Sequence, residues 1–262
     1  MLTEKQFHAL RERALAGSAT AEELTALEPY RMKRAVFMAA GFGSRMVPVT
    51  LITPKPLVTV NGRRIIDTLL DAVLAAGITE IYLVRGYKAE CFDVLREKYP
   101  TLHFVENPLH DRTNNISSVL AVKDCLSNAY VFEADLVLSN PALISPWQYR
   151  SGFLGARTEK TDDWCLTTDD EGVILSVQKG GRDCHHLFGV SWWTEADGQR
   201  LAEDIPSVFN TEPEGQNQFF EAVPLTFRRD HYRVYVGECS FDDIVEIDTF
   251  DELCALDPSY RS

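Results

Sequence analysis

Residues 38–55, MAAGFGSRMVPVTLITPK, bring two closely spaced glycines together with an arginine and a lysine, residue types suited to holding a chain of phosphates. Gly41 and Gly43 free the loop to adopt positive φ and let backbone N–H groups approach phosphate oxygens, while Arg45 and Lys55 add fixed positive charge. Two better-known phosphate loops do not fit. Gly41-Phe42-Gly43-Ser44-Arg45-Met46 lacks the third glycine of the dinucleotide fingerprint, and no Gly-Lys-Ser/Thr follows at the spacing of a Walker loop. A Gly-x-Gly pair alone also suits an ordinary tight turn between a strand and a helix. Further along, Asp135 follows the apolar run Tyr130–Phe132 through Glu133-Ala134, and a carboxylate at a strand's carboxyl end can hold Mg²⁺ together with substrate phosphates. Taken alone, an aspartate there reads more readily as a helix cap or a turn residue.

The loop follows the apolar run Ala35–Met38, which places it at the carboxyl end of a first strand, where ligands bind in open α/β sheets. Strands at Ala35–Met38, Ile81–Val84, Leu102–Val105 and Tyr130–Glu133 alternate with helices at Ile65–Ala76, Ala89–Lys98 and Ser117–Leu126, predicting a mostly parallel sheet covered on both faces. Gly77 is placed to end the first of these helices. After about Pro141 the rhythm changes to antiparallel strands at Trp164–Thr168, Val173–Gln178 and Leu187–Trp193, with Asp169–Gly172 as a hairpin turn. Asp197–Pro206 and Phe219–Phe227 read as helical, and the chain closes with strands Val234–Gly237 and Ile244–Ile247 and a helix at Phe250–Leu256. Residues 3–28 read as two short helices, Glu4–Ala16 and one starting near Thr20, where Glu23 completes a capping box. The predicted architecture is an α/β, Rossmann-like mixed sheet spanning 33–262, with a small antiparallel part at about 141–240 and a helical extension at 1–32. That extension fits a packing or dimerisation appendage, or else a remnant helix-turn-helix or regulatory module; its acidic residues make direct DNA binding the poorer option.

Ala39-Ala40-Gly41-Phe42-Gly43-Ser44-Arg45, followed by Thr53-Pro54-Lys55-Pro56-Leu57-Val58, resembles the signature of the nucleotidyltransferases that make nucleotide sugars and CDP-alcohols. The similarity covers about residues 33–256. Within that superfamily the chain is most similar to bacterial CTP:phosphocholine cytidylyltransferases of the LicC type, on Gly86-Tyr87, Asn114-Asn115 with Ser117-Ser118, Glu133-Ala134-Asp135, Asp163-Trp164, residues 189–193 and Glu246-Ile247-Asp248. The resemblance implies a fold of the nucleotide-diphospho-sugar transferase type and Mg²⁺-dependent transfer of CMP from CTP to phosphocholine, giving CDP-choline and pyrophosphate. It implies that the loop Ala40, Gly41, Phe42, Gly43 and Ser44 cradles the triphosphate, that Arg45 clamps its β and γ phosphates, and that Lys55 reaches the α-phosphate or the acceptor phosphate. Asp135 and Asp248 match the family's metal positions, although Asp248 also suits the N-cap of the last helix. Gly86, Tyr87, Asn115 and Ser117 would line base and ribose, with helix capping an equal alternative for Asn115 and Ser117. An acceptor phosphate is already ionised at neutral pH, so the protein has to position two anions and neutralise their charge rather than supply a nucleophile.

Recognition of a quaternary ammonium relies on aromatic faces and negative charge, because that group has no N–H to donate. Trp164 and Trp192 are the candidates for such a cage and Glu221 for its counter-charge, although tryptophans equally fill β cores. Alternation along Leu187–Trp193 puts Phe188, Val190 and Trp192 on one face and Trp193 on the other, so Trp193 reads as structural. The adjacent His185 and His186 point to opposite faces and make a poor metal site. A net charge of −13 disfavours nucleic acid as a partner, and no apolar run is long enough to insert in a membrane. Six cysteines without a Cys-x-x-Cys pair fit a reduced, cytoplasmic chain. CTP and phosphocholine are the expected partners, with a homodimer or association with a choline kinase left open. The alternatives are a sugar-1-phosphate nucleotidyltransferase and a non-catalytic nucleotide-binding regulatory or scaffold protein.

Overall fold

In a computed structural model, which describes residues 1–211 and 213–261, the chain opens with helices α1 (Glu4–Leu15) and α2 (Ala21–Leu27). Each starts with a reciprocal capping box, Thr3 with Gln6 and Thr20 with Glu23. Phe7 and Leu27 are fully buried against Trp147, which anchors both helices to the body of the protein. Next come β1 (Arg34–Ala39), the short ribbon β2 (Thr59–Val60) and β3 (Arg63–Arg64), α3 (Ile65–Ala75), β4 (Glu80–Arg85) and β5 (Leu102–Glu106). They are followed by α4 (Ile116–Leu120), β6 (Ala129–Glu133), β7 (Leu136–Leu138), β8 (Gly152–Thr168) and β9 (Ile174–Trp193). The chain finishes with α5 (Glu195–Phe209), β10 (Tyr235–Cys239), β11 (Ile244–Glu246) and α6 (Phe250–Leu256).

Seven strands form the main sheet in the order β10-β8-β9-β6-β1-β4-β5. β5, β4, β1 and β6 run parallel, whereas β9 is antiparallel to both β6 and β8. Apolar side chains leave both faces, as a sheet covered on two sides requires. Ala35, Phe37 and Ala39 of β1 pack in one core layer with α3, and Val36 packs in the other with Trp193 and α5. Gly77, at φ +75°, ends α3 in the left-handed region that glycine adopts freely.

The departures from expectation have local causes. The three predicted antiparallel segments are parts of two long strands, β8 of 17 residues and β9 of 20, whose middle sections extend beyond the core as a ribbon with mostly exposed or half-buried residues. Such a ribbon carries no one-sided apolar alternation, so periodicity does not reveal it. Residues 89–97 form 3₁₀ turns instead of an α-helix, and the helix expected over Ser117–Leu126 shortens to α4. Only Val223–Phe227 of the predicted Phe219–Phe227 helix is helical, as one wide π-type turn containing Pro224, whose ring nitrogen has no hydrogen to donate.

Candidate active site

A cavity of about 850 Å³ opens at the carboxyl ends of β1 and β6 and is walled on its far side by β8, β9 and residues 214–227. Gly43 sits at φ +66° at the head of a 3₁₀ turn, Ser44–Met46; a β-carbon on it would stand 3.1 Å from Lys55 Cβ and 3.2 Å from Thr50 Cγ2. Only glycine therefore allows the loop to close over the lysine. Lys55 is 8% exposed, and its ammonium donates to Asp135 Oδ2 at 2.8 Å and to Asp248 Oδ1 at 2.9 Å. Burial pulls its pKa down, but Asp135 and Asp248 outweigh burial and hold it above the ordinary lysine value. The exposed Arg45 reaches the same Asp248 Oδ1 from outside, at 2.8 Å. Asp248 does not cap the last helix, because Thr249 takes that place by accepting from Glu252 N. Arg45, Lys55, Asp135 and Asp248, up to 203 residues apart by their numbers, thus form one charged cluster.

Ala40, Gly41, Gly43 and Ser44 line the cavity, as do Asn115 and Ser117. Phe42 turns away and meets Tyr87 edge-on at 4.7 Å, while Tyr87 donates its hydroxyl to Thr50 O at 3.0 Å. Both brace the loop from behind, and Gly86 lies against the ring of His110, which does line the cavity. Neither amide nor hydroxyl caps α4. Ser117 Oγ donates to Asn114 O at 2.9 Å and accepts from Asn107 Nδ2 at 2.8 Å. Asn115 Nδ2 donates to Glu133 Oε1 at 3.0 Å, and its Oδ1 accepts from Phe220 N at 2.7 Å.

Trp164 and Glu221 line the far end of the cavity, and Trp164 meets Phe219 edge-on at 5.6 Å. Trp192 does not reach it. Val177, Lys179, Leu187 and Gly189 are the residues of β9 that face this cavity, so the strand's two-residue period sends Trp192 to the opposite face. There its indole is buried beside Tyr130, and Nε1 donates to Arg150 O at 2.8 Å. Trp193 is fully buried against Phe153 and Phe220.

Three acidic residues join the site without having been singled out as ligands: Glu133, Asp163 and Glu246. Glu133, Asp135 and Glu246 have carboxylate oxygens within 4.8 Å of one another, and so do Asp163, Glu246 and Asp248. A readable signal existed for two of them, since Glu133 and Asp135, like Glu246 and Asp248, are two residues apart and share a direction on an extended chain. Asp163 stands beside Trp164 in the resemblance, but no spacing ties it to the other carboxylates. β8 carries an extra residue between Thr161 and Trp164 relative to β9, a bulge that brings the consecutive residues Asp163 and Trp164 to the same cavity. Gly189 has no side chain to occupy the space taken by Glu133.

Among the described residues seven carboxylates line the cavity, Glu133, Asp135, Asp163, Glu214, Glu221, Glu246 and Asp248, against the cations Arg45, Lys55 and Lys179. Burial, reinforced by Asp135 and Asp248, pushes Glu246 up to about 9. Burial together with Glu221 and Asp135 raises Glu133 well above the carboxylate range, and burial raises Glu221 to about 7. A buried Asp135 Oδ1 has no hydrogen-bond partner among the described residues. An all-oxygen donor set with surplus negative charge fits a hard divalent cation.

Residues 35–214 match the MobA-like NTP transferase domain. The chain is 36% identical over 229 residues to the 2-aminoethylphosphonate cytidylyltransferase of Lancefieldella rimae, covering 86% of this chain and 92% of that protein. It is 29% identical to the choline-phosphate cytidylyltransferase of Streptococcus pneumoniae, covering 86% and 96% of the two. The solved CTP:phosphocholine cytidylyltransferase LicC of S. pneumoniae superposes with a TM-score of 0.80 at 28% identity, over 87% of this chain and 99% of the other. The inositol-1-phosphate CTP transferase of T. maritima, at 15% identity and a TM-score of 0.69 over 88% and 94%, shares the fold. This chain belongs to the MobA-like NTP transferase family and is a nucleotidyltransferase of the LicC type. Among the described residues, no helix is long and apolar enough to cross a membrane.

Proposed function

We propose that the protein transfers CMP from CTP to an oxygen of a small phosphonate or phosphate that carries a cationic amino group, with 2-aminoethylphosphonate as the favoured acceptor. The observation that carries this is the far end of the cavity. There Glu133 and Glu221 stand near Trp164 and Phe219, and among the described residues neither carboxylate has an ion pair with a lysine or arginine. A primary ammonium donates hydrogen bonds to carboxylates and neutralises them where they are buried. The relative that uses 2-aminoethylphosphonate, 36% identical, supports the same choice. With Trp192 on the other face, the aromatic part of this end is a single Trp164–Phe219 pair. That pair favours a second acceptor, phosphocholine, whose quaternary ammonium an aromatic face attracts. A sugar phosphate offers hydroxyls, which would leave the carboxylates uncompensated.

In this reaction the acceptor oxygen attacks the α-phosphorus in line as the bond to pyrophosphate breaks. Lys55 faces the α-phosphate and the incoming anion, Arg45 holds the β and γ phosphates, and the loop N–H groups of Gly41 to Ser44 complete the cradle. Asp135, Asp248 and Glu246 would hold Mg²⁺, which supplies charge neutralisation on the phosphates when bound. Residues 141–240 shape the acceptor end. Pyrophosphate release, measured with CTP and divalent cation against 2-aminoethylphosphonate, phosphocholine, phosphoethanolamine and a sugar 1-phosphate, is expected with the amino acceptors. Release with the sugar phosphate alone, or with no acceptor, overturns the proposal.

A further inference from the structure

We infer that Asn115 is a positioning residue for the acceptor end of the cavity: its side chain ties Glu133, at the end of β6, to the Phe219–Glu221 segment. The role rests on the reaction proposed above. Hydrogen bonds of the side chain run to the acceptor end, from Nδ2 to Glu133 Oε1 at 3.0 Å and to Oδ1 from Phe220 N at 2.7 Å, the latter linking positions 105 residues apart in sequence. Helix capping does not account for the residue, since α4 begins without a side-chain cap.

The two partners need this tie for different reasons. Residues 218–222 lie between a 3₁₀ turn, Gly215–Asn217, and the π-type turn Val223–Phe227, so the backbone that carries Phe219 and Glu221 is held by local turn bonds, Ala222 N to Phe219 O and Leu225 N to Glu221 O at 3.1 Å each, and by no strand ladder. Asn114 adds two bonds to the 3₁₀ turn just before it, from its N–H to Gln216 O at 2.9 Å and from Nδ2 to Asn217 O at 3.3 Å. The stitched segment presents Phe219 to Trp164, whose own position follows from the bulge in β8. Glu133, for its part, packs into the space that the missing side chain of Gly189 leaves, and the Asn115 amide donates to its Oε1 and orients the carboxylate there. Removing the amide therefore frees a carboxylate and an aromatic that face the acceptor, while leaving Arg45, Lys55, Asp135 and Asp248 in their own network.

The test compares Asn115→Ala and Asn115→Ser with the wild-type chain, using whichever acceptor of the panel the wild type turns over. The expected result is a KM for the acceptor raised about tenfold or more, with the KM for CTP within about twofold of wild type, because the hydrogen bonds that orient one end of the cavity only are being lost. The serine variant, which keeps a short hydroxyl near the strap, is read by the same criterion if the alanine variant fails to fold. A KM for CTP that rises as much as that for the acceptor places the side chain on the nucleotide and overturns the inference, and so does an unchanged KM for both. If the panel selects a sugar phosphate, the proposed function falls, while the KM split measured with that sugar phosphate still decides the role of Asn115.

Discussion

The two ends of the cavity are built on different principles. At the triphosphate end, one loop and two strand-end aspartates supply everything, and the charges are mutually paired: Lys55 with Asp135 and Asp248, and Arg45 with Asp248. At the acceptor end, groups arrive from β6, a bulged β8, β9 and the irregular residues 218–222, and the carboxylates Glu133 and Glu221 are shifted upward by burial rather than paired. A single loop and two strand ends hold the chemistry of the phosphates, whereas a bulged strand and the turns around 218–222 shape what the phosphate is attached to. Irregular segments tolerate substitution more readily than strands, so one scaffold can serve acceptors as different as those of its relatives.

If that division is right, the largest loss of turnover follows damage to the paired end. Lys55→Ala is expected to lower kcat by about 10²–10³, the scale on which removing one preorganised charge-stabilising donor acts. Its effect on the acceptor KM is expected to be small by comparison. Steady-state pyrophosphate release measures both, and a Lys55→Ala enzyme with normal kcat would falsify the assignment. Removing the lysine also leaves Asp135 and Asp248 facing each other, so a divalent cation is expected to raise the melting temperature of this variant more than that of the wild type.

The tryptophans separate fold from site. Trp192→Ala empties a buried position and is expected to cost about 3–5 kcal/mol of stability, read by denaturant unfolding, without a selective change in the acceptor KM of the protein that remains folded. Trp164→Ala is expected to do the reverse, raising the acceptor KM by about tenfold with little loss of stability, since a cation at an aromatic face is held by about 1–2 kcal/mol. Equal kinetic effects from the two variants would erase the distinction between the cavity face of the sheet and the face that buries Trp192.

What the sequence disclosed follows the same division. Parallel strands buried on both faces, capping boxes at Thr20 and the glycine after α3 were legible because each depends on neighbours within a few residues. Arg45 and Lys55 could be nominated because a short ordered signature carries them, and Asp135 and Asp248 because they match the family's metal positions beyond strand ends. Trp192 was misplaced although the alternation of β9 was read correctly, because alternation says which residues share a face and not which face the cavity occupies. Asp163 and Asn115 were named in the sequence, but the carboxylate cluster that one joins and the tie that the other makes were beyond reach: a bulge and a hydrogen bond across 105 residues leave no periodic trace.

A smaller effect is expected at Glu221. Glu221→Gln keeps the shape and removes the charge, so the acceptor KM should rise several-fold, on the order of the net value of one hydrogen bond to a charged group. The increase should be greater for a primary than for a quaternary ammonium, because only the former donates to the carboxylate. A variant that binds both acceptors as the wild type does would move the cationic head elsewhere in the cavity.

The subtlest consequence is a pair of opposite pH trends. Burial raises Glu221 to about 7, so the folded protein keeps a proton there that the unfolded chain releases in the ordinary carboxylate range. Between those two values the native state binds more protons than the unfolded state, and the ligand-free protein must lose stability as pH rises. The loss is complete once pH exceeds about 7, and its size is on the order of 1 kcal/mol for each tenfold difference in proton affinity between the folded and unfolded states. Acceptor binding runs the other way, because the ammonium meets a carboxylate only after Glu221 has ionised. Melting temperatures of the ligand-free protein from pH 5 to 8, beside acceptor KM over the same range, should therefore diverge in the wild type. In Glu221→Gln both slopes should flatten, while the acceptor's own ionisation contributes equally to the two proteins and cancels from the comparison. Identical slopes in the two proteins would show that this carboxylate does not titrate against the acceptor.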